Sequence, residues 1–409
     1  MTSSTESRTP VVVVGGGPVG ILNALGLARQ GIPVTVLERN DGVARAPRAV
    51  VYHWATLEGL DRLGVLSDAS AAGFLKQDYC FLNWQTGERV RYGLSLLEGQ
   101  VTHAHNLHLA QDRLVDVALE IIRRDALPVD VRWGRTVIGV QQDDSGVSVT
   151  AARQDGTPER HRASWVIGAD GAGSAVRSLS GLSFEGLTWP ERFVATDVHY
   201  PFEEEGFDQT TFVVDETFGA IIVKINNDHG TGLWRYTYCD PLAENRDVAL
   251  ERMGRFFDTV LPREADREMV SFSPYNMHQR WATTFRLGRV LLAGDAAHAT
   301  NPTGGLGLTG GLFDTYLLID SLAAVLRRRQ DDWVLDRYAH ERRRVFQELV
   351  SPTASANKRL IFGSTQTPEG AAAWTRVQRL GQDPEAARAR LMFTRQLETP
   401  AVVTAGARL

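Results

Sequence analysis

The chain has 409 residues, enough for about two domains. Hydrophobic residues make up 43% and charged residues 23%, values that exclude a chain dominated by disorder. The formal net charge of −5 argues against a nucleic-acid partner, and the two cysteines exclude a disulfide framework or a thiolate metal cluster.

The termini and the apolar segments bear on localisation. The N-terminus is polar and lacks an apolar run of signal-peptide length. The most apolar later stretch, residues 312–326, is interrupted by Asp314 and Asp320, which argues against a membrane span. We therefore expect a cytoplasmic protein without a membrane partner and without a metal.

The first predicted elements are a strand, a helix and a second strand. Residues 10–14 and 32–37 are apolar and β-branched, and residues 19–30 between them are rich in Ala and Leu. Gly31 occupies the position of a helix C-cap. This order within about 30 residues predicts a parallel βαβ unit.

Further along the chain the spacing of apolar residues changes from that of helices to the alternation typical of strands. Helices are predicted over residues 56–66 and 113–124, and period-two strands over 137–140, 147–151 and 164–167. A separate antiparallel sheet is predicted from strands at 193–198, 210–214, 220–225 and 233–238. A strand at 289–293, a helix at 311–329 and a mostly helical segment after residue 332 complete the chain. The pattern predicts an α/β fold with two sheets.

The first glycine signal is Gly15-Gly16-Gly17-Pro18-Val19-Gly20, which follows a strand and opens a helix. Gly15 suits a tight turn, Gly17 a close approach of backbone to a pyrophosphate, and Gly20 the packing of helix on strand. Glu38 ends the second strand, where a carboxylate can bind the ribose hydroxyls of an adenosine. Together these features predict a dinucleotide site.

Two further glycine signals also follow strands. Asp170-Gly171 comes after an apolar run, although such a pair taken alone is usually a turn. Asp295 ends the strand at 289–293, and a glycine-rich loop at 301–311 precedes the next helix. Since only the first signal suits a pyrophosphate, the three together favour one large cofactor, FAD rather than NAD.

The order of these motifs resembles the single-component FAD-dependent aromatic hydroxylases, the para-hydroxybenzoate hydroxylase-like class. Glu38-Arg39 follows the first glycine motif as in that family, and Arg48 and Gln111 match two positions near its flavin. Gly305-Leu306-Gly307-Leu308-Thr309 departs from the family's common Gly-Gln-Gly-x-Asn, so two side-chain contacts to the ring are missing while the backbone amides remain. The resemblance implies that the cofactor-binding residues are Gly15, Gly17, Pro18, Val19, Gly20, Glu38, Arg39, Arg48, Gln111, Asp170, Gly171, Asp295, Gly305, Leu306, Gly307, Leu308 and Thr309.

The resemblance also implies a domain plan and a mechanism. It implies a discontinuous Rossmann-type FAD-binding domain (1–74, 97–180 and 272–330) interleaved with an antiparallel-sheet substrate domain (75–96 and 181–271), and a C-terminal helical region (331–409). NADH or NADPH would reduce FAD, and O₂ would add at flavin C4a to give a hydroperoxide that hydroxylates an electron-rich ring, commonly a phenol. The cofactor carries this chemistry, so no conspicuous catalytic side chain is required.

Candidate substrate-side residues follow from the need to favour a phenolate. Tyr238 and Arg235 lie on a predicted strand of the second sheet, and the resemblance places the backbone carbonyl of Pro302 near the substrate. Packing in the sheet is the more common role of a residue such as Tyr238, and a place on the solvent face or pairing with Asp197 or Asp215 is the more common role of one such as Arg235.

Several alternatives stay open at the level of sequence. A related flavin reductase, dehydrogenase or halogenase, or a redox-silent FAD-binding scaffold, would share the fold. None of the nine tryptophans forms the Trp-x-Trp-x-x-Pro segment of a halogenase. The identity of the small aromatic substrate, the choice between NADH and NADPH, and the choice between monomer and homodimer are not decided.

Overall fold

The described residues form two eight-stranded β-sheets and a three-stranded sheet. The computed structural model describes residues 6–45, 49–227, 230–241 and 246–401. The described strands are β1 (Glu6–Val14), β2 (Val34–Leu37), β3 (Val51–Tyr52), β4 (Phe74–Lys76), β5 (Asp78–Asn83), β6 (Arg89–Gly93), β7 (Asn106–His108), β8 (Val129–Arg132), β9 (Thr136–Asp143), β10 (Gly146–Ala152), β11 (Pro158–Gly168), β12 (Phe184–His199), β13 (Thr210–Val214), β14 (Ala220–Asn226), β15 (Leu233–Pro241), β16 (Glu268–Ala282), β17 (Arg286–Leu287), β18 (Val290–Leu292) and β19 (His298–Ala299).

Helices cover the sheets and form the C-terminal region. The described α-helices are α1 (Pro18–Arg29), α2 (Trp54–Arg62), α3 (Leu66–Ala72), α4 (Gln111–Arg124), α5 (Ala175–Leu179), α6 (Arg246–Val260), α7 (Leu306–Leu326), α8 (Trp333–Val345), α9 (Ser351–Ile361), α10 (Pro368–Gln382) and α11 (Pro384–Met392). A π-helical segment, Phe346–Val350, joins α8 to α9.

The first sheet has the central order β17-β18-β11-β1-β2-β8, and β10 and β9 continue from β11. The strands β18, β11, β1, β2 and β8 run parallel, as buried runs such as the nearly inaccessible Val11–Val14 predict. Val14 lies in register with Gly168 and Leu37, and Gly168 with Leu292. The carboxyl ends of four parallel strands therefore meet at one edge, and each of the three glycine signals begins there.

Helix α7 is the central helix of the protein. It is long and apolar enough to cross a membrane, but 89% of its most apolar window is buried inside the protein, as expected of a core helix. It packs on α1 and on α8. Its N-terminus lies at the glycine-rich loop, so the core fixes the position of that loop.

The second sheet has the order β19-β16-β12-β15-β14-β13-β5-β6. One face packs against α6 through an aromatic cluster that includes Trp234, Tyr236, Tyr238 and Phe257. The opposite face carries Phe81 and other aromatic side chains toward the C-terminal helices. One face of the sheet therefore packs in the core with α6, and the opposite face borders the candidate active site.

The α/β fold class, with two sheets and C-terminal helices, is confirmed. Strand β16 was not predicted, because its sequence contains Pro274 and lacks a clean alternation of apolar and polar residues. The predicted domain boundary between residues 271 and 272 falls inside this strand. The division into domains stays a prediction.

Candidate active site

The three glycine-containing loops at the edge of the first sheet touch one another. A Cβ atom on Gly15 would lie 2.3 Å from the carbonyl oxygen of Ala169, next to Asp170. Gly15 also has φ +113°, a conformation that L side chains rarely adopt. A Cβ on Gly294 would lie 2.9 Å from the side chain of Val19. These approaches explain why glycine is required, and they bring the first loop against both others.

Arg177 holds two of these loops together. Its guanidinium donates from Nη2 to the carbonyl of Ala172 at 2.7 Å and from Nη1 to the carbonyl of Ala296 at 2.8 Å. The side chain is buried and lies over the ring of Phe184, 3.7 Å from its centroid. Sequence reasoning missed this residue, which connects the loop after β11 to the loop after β18.

A groove lies between the N-terminus of α1 and the end of β2. Glu38 accepts a hydrogen bond from the amide of Gly16 at 2.6 Å and another from the amide of Asn40 at 2.9 Å. A Cβ on Gly17 would meet nothing within 4 Å, so backbone is open to a ligand there. The groove brings together predicted cofactor residues from three elements, namely Gly17, Pro18, Glu38 and Gln111.

Three other predicted residues lie around this groove. Gly20 packs so closely on the turn that a Cβ there would lie 1.9 Å from the carbonyl oxygen of Gly15. Arg39 is exposed beside Glu38. Arg48 belongs to residues 46–48, which lie outside the described part of the chain.

Asp170 has a local structural task in the second loop. Its carboxylate accepts from the hydroxyl of Ser174 at 2.5 Å and from the amides of Ala175 and Val176 at 2.7 and 3.2 Å. It therefore satisfies amides at the start of α5. Gly171, with φ +82°, has open space where a Cβ would lie. Asp170 shapes the loop, while Gly171 leaves its backbone accessible.

The third loop presents backbone amides at the N-terminus of α7. Gly305 is the N-cap residue in the left-handed conformation, φ +66°, and its amide donates to the carbonyl of Pro302 at 3.1 Å. The first-turn amides of Leu306, Gly307 and Leu308 have no partner within the helix. Such an N-terminus favours a negatively charged group, as at the pyrimidine edge of a reduced flavin.

Two predicted residues flank this N-terminus. The hydroxyl of Thr309 donates to the carbonyl of Gly305 at 2.9 Å, so it stabilises the first turn of α7. Asp295 is exposed in the short helical turn after β18. Its position at the strand end is the one expected of a carboxylate that binds a polar chain of the cofactor.

A buried ionic network supports the third loop from behind. Asp314 on α7 accepts from the amide of Gly294 at 2.9 Å, from His298 Nε2 at 2.7 Å and from Arg342 Nε at 2.7 Å. Burial opposes ionisation of Asp314, but His298 and Arg342 outweigh it and hold its pKa at about 2. Arg342 also donates to the carbonyl of Leu397 at 2.6 Å. The network links the loop to the C-terminal segment.

The groove and the loops fit FAD. The open backbone at Gly17, the α1 N-terminus and the Glu38 carboxylate suit a pyrophosphate and an adenosine ribose. The amides at the start of α7 suit the polar edge of the isoalloxazine ring. These residues would hold the two ends of the cofactor, and the three contacting loops would lie along it.

A second cavity adjoins the third loop. Its volume is about 650 Å³ when the space at its solvent-open entrance is included. Gly304 and Leu306 form its floor beside the α7 N-terminus. One wall is a set of aromatic rings from the second sheet, in which Tyr79 and Tyr92 stack with centroids 5.4 Å apart, and Phe81 and Phe212 with centroids 4.9 Å apart. The cavity is therefore shaped for a flat ring next to the proposed flavin position.

The opposite wall comes from the C-terminal helices. Leu360 and Ile361 of α9 supply apolar surface, and Asn357 of α9 and Arg390 of α11 supply polar groups. Arg390 donates from Nη2 to Asn357 Oδ1 at 2.9 Å. The sequence predicted only that this region is helical, so its contribution to the cavity was missed.

His53 is the titratable side chain of the cavity that contacts the third loop. Its Nε2 lies 2.8 Å from the carbonyl oxygen of Gly304. A carbonyl only accepts, so Nε2 carries the hydrogen and Nδ1 is the acceptor of the neutral ring. Burial lowers the pKa of His53 below 6.5, and the charge of Arg390 adds to the effect. The ring is therefore neutral at neutral pH.

The three substrate-side residues predicted from the sequence either lie outside the cavity or already bond to other groups of the protein. Tyr238 is on the opposite face of the second sheet, stacked on Phe256 at a centroid distance of 4.7 Å. Arg235 pairs with Asp197 through hydrogen bonds of 2.7 and 3.0 Å. Neither lines the cavity. Pro302 lies in the third loop, and its carbonyl already accepts from Gly305.

The sequence profile of the family described as "FAD binding domain" matches residues 8–353. A 6-hydroxy-3-succinoylpyridine 3-monooxygenase of Pseudomonas putida (strain DSM 28022 / S16) is 42% identical over 393 residues, 95% of this chain and 98% of that protein. The chain belongs to the FAD-dependent aromatic hydroxylases. It is a monooxygenase that uses FAD, NAD(P)H and O₂.

Two further comparisons place the hydroxylase in the same group. A para-nitrophenol 4-monooxygenase of Pseudomonas sp. (strain WBC-3) is 41% identical over 356 residues, 86% of the hydroxylase and 87% of that protein. The crystal structure of p-nitrophenol 4-monooxygenase from Pseudomonas putida DLL-E4 superposes with a TM-score of 0.91 at 38% identity, covering 97% of the hydroxylase and all of that chain. Family membership decides between the alternatives left open by the motifs, in favour of a monooxygenase.

Proposed function

We propose that this hydroxylase oxygenates a small hydroxylated aromatic or heteroaromatic ring at the carbon opposite the hydroxyl group, where a substituent is already present. The observation that carries the proposal is the aromatic-walled cavity against Gly304 and Leu306. Its stacked rings suit one flat ring, and its polar groups at His53 and Arg390 suit a substrate with two polar substituents.

The names of the two similar proteins support this regiochemistry. Position 4 of para-nitrophenol is the carbon that bears the nitro group, opposite the hydroxyl. Position 3 of 6-hydroxy-3-succinoylpyridine bears the succinoyl group and is again opposite the hydroxyl. Both names therefore describe oxygenation at a substituted carbon, and we extend that reaction class to this chain.

The chemistry of such a carbon sets the requirements on the protein. A hydroxyl group that loses its proton donates electron density to the opposite ring carbon, which can then accept an electrophilic oxygen. That carbon carries no hydrogen, so the substituent must leave. A substituent that departs with its bonding electron pair, such as nitrite, leaves a quinone, whereas a carboxylate lost as CO₂ leaves its pair in the ring and gives a hydroquinone. Bound FAD supplies the reducing equivalents from NAD(P)H and the activated oxygen. The chain must hold the ring flat, take up the proton and exclude water.

His53 is our candidate for the proton acceptor. Its Nε2–H is held by the Gly304 carbonyl, so Nδ1 is the basic atom of the ring. The lowered pKa keeps that atom unprotonated at neutral pH. The third loop orients the imidazole and also borders the proposed flavin position. A change in that loop would therefore affect both proton transfer and the placement of the cofactor.

The stacked rings and the helices would do the positioning. Tyr79 is fixed by Asn106, whose Nδ2 donates to the tyrosine hydroxyl at 2.5 Å and whose Oδ1 accepts from the amide of Trp54 at 3.0 Å. Trp54 Nε1 donates to the carbonyl of Leu391 at 3.0 Å, which joins α2 to α11 across the cavity. These links favour a preformed cavity over one that folds around the substrate.

The test is product analysis with the purified holoenzyme, with NADH and NADPH in parallel. Candidate substrates are 4-nitrophenol, 4-hydroxybenzoate, a 6-hydroxy-3-acylpyridine and unsubstituted phenol. We expect oxygen at the substituted carbon and release of the substituent for at least one of the first three. Hydroxylation next to the hydroxyl group, or reductant consumption that yields only hydrogen peroxide, would contradict the proposal.

We also propose the remaining properties predicted from composition and charge. These are a cytoplasmic location, a monomeric or homodimeric state, and no nucleic-acid or membrane partner. Cys80 and Cys239, both free, and the net charge of −5 support them. Size-exclusion chromatography with light scattering, run with and without added DNA, tests the oligomeric state and the absence of nucleic-acid binding.

A further inference from the structure

Arg390 carries a charge in the substrate cavity that no anionic residue of the cavity balances. Its described hydrogen-bond partner is the amide oxygen of Asn357, at 2.9 Å, which is a neutral group. Within the described part of the chain Arg390 forms no ion pair with a carboxylate. The remaining lining of the cavity is aromatic, aliphatic or uncharged.

The neighbouring arginines of the same segment differ from Arg390. Arg388 pairs with Glu385 at 2.5 Å, and Arg395 pairs with Glu398 at 2.7 Å. A half-buried guanidinium next to apolar surface is costly unless a negative group pairs with it. The chain supplies a carboxylate for Arg388 and for Arg395. For Arg390 a bound ligand would supply the negative group.

The charge of Arg390 reaches the wall where a substrate ring would stack. Burial raises the pKa of the Tyr92 hydroxyl, and the charge of Arg390 opposes that rise. Burial also raises the pKa of Tyr79, and Arg390 again acts in the opposite direction. Both rings belong to the aromatic wall, so Arg390 stabilises negative charge within the volume a substrate would occupy.

We propose that Arg390 is the anion-binding residue of the cavity, and that it selects rings whose substituent is a planar anionic group with two oxygen atoms. A carboxylate meets this description, and so does the nitro group of a nitrophenolate, onto which the phenolate charge is delocalised. A guanidinium binds such groups through two parallel hydrogen bonds. Asn357 orients the guanidinium from α9, so this selection depends on two C-terminal helices. The inference rests on the proposed function of the same cavity.

The test compares two ligands of nearly equal size that differ in charge, 4-hydroxybenzoate and 4-hydroxybenzamide. Their dissociation constants are measured by isothermal titration calorimetry on the holoenzyme without NAD(P)H, so that turnover is not needed. The variants are Arg390→Gln and Arg390→Lys, and Arg388→Gln serves as the matched control on the same helix. FAD content and circular dichroism verify that each variant is folded.

We expect the wild type to bind the carboxylate more tightly than the amide. Arg390→Gln should weaken carboxylate binding about tenfold or more and remove the preference, as loss of a charge-assisted hydrogen bond predicts. Arg390→Lys should keep part of the preference, and Arg388→Gln all of it. An absent preference in the wild type, or equal weakening of both ligands in Arg390→Gln, overturns the inference.

Failure of the proposed function gives a different pattern. In that case 4-hydroxybenzoate binds with a preference that depends on Arg390, while no tested ring is oxygenated at its substituted carbon. The anion subsite would then stand, and the reaction assigned to the cavity would be wrong.

Discussion

The guanidinium Nε of Arg342 lies 2.7 Å from Oδ1 of Asp314, and both side chains are almost inaccessible to solvent. The other oxygen of Asp314 accepts the amide of Gly294, which begins the turn that carries Asp295. The carboxylate of Asp314 therefore joins the C-terminal helices to the third loop.

Asp314→Asn should weaken both folding and FAD retention. The substitution leaves Arg342 buried without its countercharge, which costs about 3 kcal/mol in the free energy of unfolding. Urea unfolding measures that loss, and the flavin-to-protein absorbance ratio after gel filtration measures FAD retention. Asp320→Asn is the control, since Asp320 is buried on the same helix but pairs with Arg62 at 3.4 Å. Full flavin content in Asp314→Asn would refute the support role.

Glu38→Ala should raise the dissociation constant for FAD. Loss of hydrogen bonds between a carboxylate and the ribose costs about 1.5–3 kcal/mol, or roughly 10- to 100-fold. Titration of apoprotein with FAD, followed by quenching of flavin fluorescence, gives the constant. Asp41→Ala is a neighbouring acidic control outside the groove lining. An unchanged constant in Glu38→Ala would remove Glu38 from the cofactor site.

His53→Gln should change the pH profile of turnover as well as its rate. Loss of a general base lowers kcat/KM by about 100-fold or more at neutral pH. The loss should shrink as pH rises and the free substrate becomes a phenolate, because no proton then has to be removed. The profile is measured with 4-hydroxybenzoate, whose phenolic hydroxyl is still protonated at neutral pH. His105→Gln is the control, because His105 stacks edge-on against His103 outside the cavity lining. A deficit that is constant across pH would assign His53 a structural role.

His108 should make stability depend on pH. Its Nδ1 lies 3.0 Å from the carbonyl of Lys224, and its buried Nε2 has no partner among the described residues, so burial lowers its pKa from 6.5 to about 4. Because the pKa of His108 is lower in the folded than in the unfolded protein, the neutral ring stabilises the fold. This stabilisation is complete above pH 6.5 and is lost as the pH falls toward 4.

The size of that loss is roughly 3 kcal/mol from the pKa difference. Urea unfolding of the wild type at several pH values between 4 and 6.5 measures it. His108→Asn keeps a donor at the position of Nδ1 for the Lys224 carbonyl and should flatten this part of the profile. His340→Gln, at an exposed position, should not. Parallel profiles for the wild type and His108→Asn would contradict the assignment.

The groove between the N-terminus of α1 and the end of β2 could be predicted from the sequence because its requirements are local. Gly15 and Gly20 are spaced by the turn between β1 and α1, and Glu38 lies at the end of the next strand, so one βαβ unit contains all three. The three glycine signals were expected to serve one cofactor, and the close approach of Gly294 to Val19 brings the first and third signals together, as parallel strands that end at one edge allow. Arg177 and Asp314 were missed because buried arginine and aspartate have no spacing signature.

The substrate cavity could not be predicted in the same way. Phe81 meets Phe212 only because β5 pairs in parallel with β13, two strands more than 100 residues apart in the chain. Arg390 is one of 41 arginines, and only the docking of α11 shows that no carboxylate of the described residues pairs with it. Tyr238 was a candidate by type, but alternation along β15 places it on the face that packs against α6.

The most direct test of the account is the fate of 4-nitrophenol turned over by the holoenzyme under ¹⁸O₂ with NADH or NADPH. The account predicts one nitrite released per substrate consumed, and a single ¹⁸O atom at the carbon that carried the nitro group, in 1,4-benzoquinone or the hydroquinone formed by its reduction. Formation of 4-nitrocatechol, with the label next to the original hydroxyl and no nitrite, would contradict it.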